Sequence, residues 1–371
     1  CEQRLYEQSL DGNLARYFCC MSTAPPLRVG LFGVGHLGKI HLKCLLDLPS
    51  QFHLVGYHDP NPDAAAGLAR WAAEKGIGAE QLPPFFESEA ELLGAVEAVD
   101  IVAPTSAHAA LASQALKLGL HCFIEKPVTS TLEEGEALLA AQKKSGAVVQ
   151  VGHVERFNPA FQAAAAHLDS PRFIEAHRLA TFNPRGLDVP VVLDLMIHDI
   201  DLALHTIGSP VVRIAAHGVQ IVSNTTDIAN ARLEFACGAV ANLTASRVSL
   251  NPMRKVRLFQ SGAYVSVDLL NKTTQVVKIE DVPAEGDAQA PERDPFGFYL
   301  DVPDGPSKRL HIDSPEVAPN NAIGEELAQF HSAIVGDTPC KVPLEDGLEA
   351  LRVAGRIVDA IEASKQQIQR N

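Results

Sequence analysis

Two clusters in this chain combine residue types and spacings that chemistry could use. The first is Gly33-Val34-Gly35-His36-Leu37-Gly38, a G-x-G-x-x-G run directly after the strand-like Leu27–Phe32 and opening a helical stretch. In that setting the first glycine permits a tight turn, the second lets a pyrophosphate approach the backbone, and the third lets helix and strand pack closely. The unsatisfied N–H groups of the helix N-terminus then face the phosphate charge. Asp59 stands twenty-one positions after Gly38, at the end of the next strand-like run, where a carboxylate can accept both hydroxyls of an adenosine ribose. It would repel the 2′-phosphate of NADP, and residues 60–66 contain no Arg to neutralise it, so NAD is favoured over NADP. The competing readings are an S-adenosylmethionine site in a similar fold and, for Asp59, a loop acid that merely starts a turn before Pro60.

The second cluster is split between two segments. Glu125-Lys126-Pro127 follows a strand-like run, at the carboxyl edge of a sheet where ligands of open α/β folds bind. A Lys there could hold an ammonium beside a substrate hydroxyl, although strand-end lysines are usually solvated charges. Further on, Asp194, His198, Asp201 and His205 fall at i, i+4, i+7 and i+11 of an otherwise apolar stretch, so they share one face of a helix. That stripe faces either a cleft or a thin strip of solvent. Asp194, one turn before His198, could fix the imidazole tautomer and stabilise its protonated form. A metal is not expected, because no third ligand and no Cys cluster accompany the pair. Arg156, Arg178, Arg185 and Arg247 are candidate anion contacts, each more often a surface charge. Arg156 lies five residues past Val151, where one domain is expected to hand over to the next.

These residues need a frame that joins strand ends to a helix face. Residues 27–32, 52–57, 100–103, 121–124 and 147–151 read as strands, with helical stretches at 37–48, 62–75, 107–118 and 131–144 between them. Such alternation implies a parallel sheet covered on both faces. After about residue 150 strands dominate, at 172–182, 211–222, 228–235, 239–248, 255–260, 263–269 and 273–279, with one helical stretch at 191–207. The fold class is α/β: an N-terminal Rossmann-like, doubly wound parallel sheet, then an α+β domain with a mostly antiparallel sheet. The expected domains are 27–150 and 151–371, with helices at 321–335 and 344–364 closing the chain and free to pack back on the first domain. Residues 282–308, rich in Pro, Gly and Asp, read as a surface insertion without chemistry. Residues 1–26 read as an extension, disordered or foreign to the fold, with Met21 as the expected true start.

Composition sets outer limits. A chain of 371 residues with 46% hydrophobic and 20% charged residues has room for two globular domains and is not a disordered or fibrous chain. Its 31 Lys and Arg against 45 Asp and Glu give a net charge of −14, which disfavours nucleic acid and anionic membranes and obliges any anionic substrate to find a local basic patch. No run approaches 18 apolar residues and the first twenty positions hold no signal-peptide core, so the cytoplasm is the expected compartment. The seven cysteines are odd in number and lack C-x-x-C spacing, and read as free thiols.

With these motifs in place the sequence resembles the glucose-fructose oxidoreductase and inositol dehydrogenase family (Gfo/Idh/MocA), from Leu27 to the C-terminus. The resemblance rests on the glycine run at 33–38, Asp59, Glu125-Lys126-Pro127 and Asp194-x-x-x-His198, in the expected order. It implies a Rossmann domain, a C-terminal domain with an open sheet, NAD(P)-dependent hydride transfer from a secondary alcohol, and homodimers or homotetramers formed through the open sheet. Lys126 and His198 would be the acid/base and substrate-orienting pair, with Asp194 supporting His198. Pro104, Thr105 and His108 would lie in a cofactor-lining turn, and Glu125 and Lys126 beside the cofactor. Val189-Pro190-Val191-Val192 replaces the Gly-Gly pair often found before this helix, which changes the loop above the substrate. The segments at 152–159 and 195–201 look most like the branch that oxidises UDP-N-acetylglucosamine at its 3-hydroxyl, with Arg156 as a candidate phosphate contact. The alternatives are a dehydrogenase of a free polyol, inositol or aldose, and a non-catalytic nicotinamide-binding regulator, which would dispense with Lys126 and His198.

Overall fold

The computed structural model describes residues 25–184, 189–282, 294, 297–302 and 306–370. The expectation for residues 1–20, and Arg185, fall outside them.

The first half alternates as expected. Strands β1 (Leu27–Phe32), β2 (Phe52–His58), β3 (Ala98–Ile101), β4 (His121–Glu125) and β5 (Val149–Gly152) form a parallel sheet in the order β2-β1-β3-β4-β5. Connecting them are α1 (His36–Leu46), α2 (Ala64–Glu74), α3 (Glu89–Ala95), α4 (Thr105–Lys117) and α5 (Leu132–Ser145). Strand order reverses between β1 and β3, and such a switch point opens a crevice at the carboxyl ends of the strands. The sequence sets element ends locally: α5 starts in a capping box between Thr131 and Glu134 and stops at Gly146, whose φ of 72° is left-handed. Two details depart from expectation. β3 spans Ala98–Ile101, two residues earlier than expected, with the Ala103 backbone close against Gly33, and the seven-residue α3 is too short for its periodicity to stand out.

After a 3₁₀ turn (Val154–Phe157), α6 (Pro159–Ala165) leads into the second sheet. Its strands are β6 (Phe173–Leu179), β7 (Val211–Val219), β8 (Ile228–Phe235), β9 (Val240–Ser246), β10 (Met253–Gln260), β11 (Ala263–Asp268), β12 (Thr273–Val282), β13 (Phe298–Leu300) and β14 (Ser307–Asp313). They lie in the order β13-β14-β12-β11-β10-β6-β9-β8-β7, and every pairing is antiparallel except β6 with β9. The expected featureless insertion at 282–308 thus contains β13 and the start of β14, an edge hairpin whose strands gain their definition only by pairing. One face of the sheet is packed: Ala231, Leu243, Val256 and Val267 bury against Phe161, Ile200 and Val353. The other face is uncovered and carries ion pairs such as Arg257 with Glu175 (2.6 Å) and Lys255 with Asp268 (3.4 Å).

The helix expected at 191–207 is a π-helical turn (Val192–Met196) running into α7 (Ile197–Ile207). The last two helices return to the first domain. α8 (Ala322–Ile334) sets Leu327 and Phe330 against Val29, Phe52 and Phe123. α9 (Leu344–Arg370) places Leu344, Leu348 and Leu351 with Val149 and Val151, and sends Val353, Ile357 and Ile361 into the second core.

Candidate active site

The glycine loop has the shape its spacing predicts. Gly33 has φ +93°, and a Cβ there would sit 2.8 Å from the Ala103 backbone. A Cβ on Gly38 would lie 2.0 Å from the Gly33 carbonyl oxygen, whereas one on Gly35 would meet nothing within 4 Å. Gly33 and Gly38 therefore serve the fold, and Gly35, next to exposed His36 and half-buried Leu37, presents bare backbone to the crevice. Asp59 closes this cradle: Oδ2 accepts the Val34 N–H and Oδ1 the Asn61 N–H, both at 2.9 Å. Each oxygen keeps lone pairs for a diol. Bare glycine backbone at a helix N-terminus with a carboxylate beside it fits a nicotinamide dinucleotide.

Pro104 and Thr105 begin α4 at the same edge of the sheet. His108, three positions on, is engaged by main-chain carbonyls. It is buried, with Nδ1 3.0 Å from the Pro127 carbonyl oxygen and Nε2 2.8 Å from that of Ala103, and so ties the turn after β3 to the turn after β4.

Lys126 follows β4 in a cis Lys126-Pro127 peptide, and its Nζ donates to the Asp194 carbonyl oxygen at 2.7 Å. Burial lowers its pKa, assisted by the Arg178 charge and opposed by Asp194 and Glu125. Glu125 turns back into the protein. Its Oε2 accepts the Lys126 N–H at 3.0 Å, and its Oε1 lies 3.2 Å from His41 Nε2 in a poorly aligned contact. His41 Nδ1 in turn pairs with Asp100 Oδ2 at 3.0 Å. Burial works against charge on His41, yet Asp100 and Glu125 hold its pKa well above the ordinary value. Glu125 thus supports the turn that carries Lys126. The His41 and Asp100 links were not foreseen. A His on the apolar face of α1 and an Asp inside the apolar β3 were the available signals.

The polar stripe of the third segment is broken. The π-turn adds a residue per turn, so Asp194 is out of phase with His198, and no hydrogen bond joins them among the described residues. Asp194 Oδ1 instead lies 3.9 Å from Lys126 Nζ and Oδ2 3.7 Å from Arg247 Nη2. His198 sits edge-on to buried His153, centroids 6.5 Å apart, and burial followed by the Lys126 and Arg178 charges depresses its pKa strongly. His198 is therefore neutral, and Asp194 supports Lys126 in place of His198.

The arginines separate clearly. Arg156 is buried and spends its guanidinium on Asp201 (2.6 and 2.8 Å), Asp346 (2.7 Å) and the Lys341 carbonyl oxygen (2.9 Å), so it is no phosphate contact. The small cavity it borders also holds Asp346 and Glu349, which would repel an anion. Arg178 is likewise occupied by Asp199 (2.8 and 2.9 Å) and Glu155 (2.7 Å). Asp201 and Asp199 thus clamp α7 in rotation, from which His198 takes its direction. Arg247 differs: it lines a cavity of about 580 Å³ with Asp194, Leu195 and Phe182, while its Nη2 donates to the Val189 carbonyl oxygen at 2.5 Å.

Among the described residues no helix is long and apolar enough to cross a membrane, and no group of three or more His, Cys, Asp or Glu could hold a metal. Residues 27–153 match the model of an oxidoreductase family with NAD-binding Rossmann fold, and residues 162–263 match the Gfo/Idh/MocA C-terminal domain. The chain is 36% identical to the UDP-N-acetylglucosamine 3-dehydrogenase of Acidithiobacillus ferrooxidans over 92% of this chain and 99% of that one. The solved structure of that enzyme superposes with a TM-score of 0.76 over 91% of this chain and 98% of the other. The scyllo-inositol 2-dehydrogenase (NAD(+)) of Bacillus subtilis is 31% identical over 60% of this chain and 68% of the relative. The inositol 2-dehydrogenase of Rhizobium meliloti is 25% identical over 92% and 98% respectively.

Proposed function

The chain belongs to the Gfo/Idh/MocA oxidoreductase family, and on that premise we propose that it oxidises a secondary hydroxyl of a nucleotide sugar, UDP-N-acetylglucosamine at C3, with NAD. The observation that supports this substrate over inositol is the end-to-end match to the UDP-sugar enzyme at 36% identity, against 25% for the inositol enzyme of similar coverage.

When bound, the nicotinamide accepts the hydride; the protein must place the alcohol and take its proton. Lys126 is the proposed base, because burial lowers its pKa and so eases the loss of its proton beside the crevice. The Asp194 carbonyl holds Nζ in place, and Glu125, itself held by His41, fixes the turn from which Lys126 projects. Neutral His198 orients the substrate hydroxyl. The uncovered sheet face is the proposed surface for a homodimer or homotetramer.

Steady-state oxidation of a panel of sugar nucleotides, free aldoses and inositols, scored by NADH formation, tests the substrate. UDP-N-acetylglucosamine is expected to give the highest kcat/KM; a free polyol or aldose turned over faster than every nucleotide sugar would reverse the assignment.

The cofactor has its own test. The proposed role of Asp59, a carboxylate beside the glycine loop that would repel a 2′-phosphate, predicts that NAD binds more tightly than NADP and that Asp59→Ser narrows the gap by roughly tenfold, the worth of removing one like-charge contact. Fluorescence titration of both dinucleotides measures it, and equal affinities in the unaltered protein would contradict the role given to Asp59.

A further inference from the structure

We propose that Phe182 is the nucleobase platform of the substrate site, with Arg247 as the cation for the diphosphate, so that the 580 Å³ cavity beside Lys126 is built for a nucleoside diphosphate joined to the reacting sugar. The proposal rests on the nucleotide-sugar reading above and adds which residues recognise the nucleotide.

A nucleotide sugar makes three chemically different demands: a proton acceptor at the reacting hydroxyl, positive charge at the diphosphate, and a flat apolar surface for the base. One cavity supplies the last two and shares the Asp194 wall with the first. Asp194 forms part of its wall and through its main chain holds the Lys126 ammonium at 2.7 Å. Arg247 brings a cation to that wall, 3.7 Å from the Asp194 carboxylate. In a protein of net charge −14, Arg247 is the cation this cavity offers an anionic substrate, held in a long ion pair with Asp194 that a diphosphate would compete for. Phe182 lines the same cavity with its side chain half exposed, next to Pro184, whose ring stiffens the segment. An aromatic face in that position can stack a base whatever its edge pattern. A free polyol would use neither the aromatic surface nor the Arg247 cation.

The experiment uses UDP and inorganic pyrophosphate as competitive inhibitors of the NAD-loaded enzyme, with Phe182→Ala and Phe182→Trp beside the unaltered protein. Stacking of one base predicts that Phe182→Ala weakens UDP inhibition on the order of tenfold, that Phe182→Trp restores it, and that pyrophosphate inhibition does not change. NAD affinity and melting temperature report on folding, which an exposed side chain should not disturb. Equal UDP inhibition of the unaltered protein and Phe182→Ala would overturn the platform and leave the nucleotide-sugar reading standing. Parallel loss of UDP and pyrophosphate inhibition in Phe182→Ala would also overturn it, since the effect would not be on the base. Failure of UDP and UDP-sugars to bind the unaltered protein would overturn both.

Discussion

Lys126→Met is expected to lower kcat by two to four orders of magnitude while NAD affinity and melting temperature stay close to those of the unaltered protein. The size follows from the usual contribution of a positioned acid or base. The separation from binding follows from the layout: Lys126 projects from the turn after β4, whereas the glycine loop and Asp59 belong to β1, α1 and β2. Met keeps the length and apolar stem of Lys, so packing changes little. The pH profile supplies a second measure. Burial lowers the Lys126 pKa, and the rate should rise as the ammonium loses its proton, so kcat/KM climbs with pH to a plateau reached below the ordinary lysine range. In Lys126→Met that limb should vanish from the residual activity. Near-normal turnover of the variant would remove Lys126 from the chemistry.

Arg178→Met should cost about 3–5 kcal/mol of stability, the typical penalty for removing one partner of a buried ion pair and leaving the other charged. Arg178 on β6 is the shared partner of Asp199 on α7 and Glu155 in the 3₁₀ turn, and all three are buried. Burial raises the pKa of Asp199 even with the guanidinium present, so without Arg178 the carboxylate must either stay charged in an apolar setting or take up a proton. Denaturant midpoints measure the loss. Adding Asp199→Asn to Arg178→Met should recover part of it, and equal stabilities of the single and double variants would show that the pair is not coupled.

How far the sequence could be read depended on how local the cause was. Strand and helix alternation, the glycine run and a Lys at a strand end are set by neighbours, and they were legible. The phase of Asp194 was not, because the π-turn that displaces it depends on Pro190, whose carbonyl accepts the N–H groups of both Leu193 and Asp194, and on packing in the second core. Arg156 read as an available cation because its partners, Asp201 and Asp346, lie far along the chain. His108 carried no sign that two main-chain carbonyls would claim its ring. In each case the motif was real as a pattern, and long-range pairing decided which of its side chains remained for a ligand.

The return of α8 and α9 to the first domain bears on how the molecule is made. Leu327, Phe330, Leu344 and Leu348 cover Phe123, Val149 and Val151, yet they leave the ribosome roughly 200 residues after those strands. Until then the nascent Rossmann sheet has part of its apolar surface open to other chains. Release of the last helices, not completion of β5, therefore closes the first core. A chain truncated before α8 should emerge as aggregating nascent protein, and its dependence on chaperones during synthesis should fall only once the C-terminal fifty residues are present.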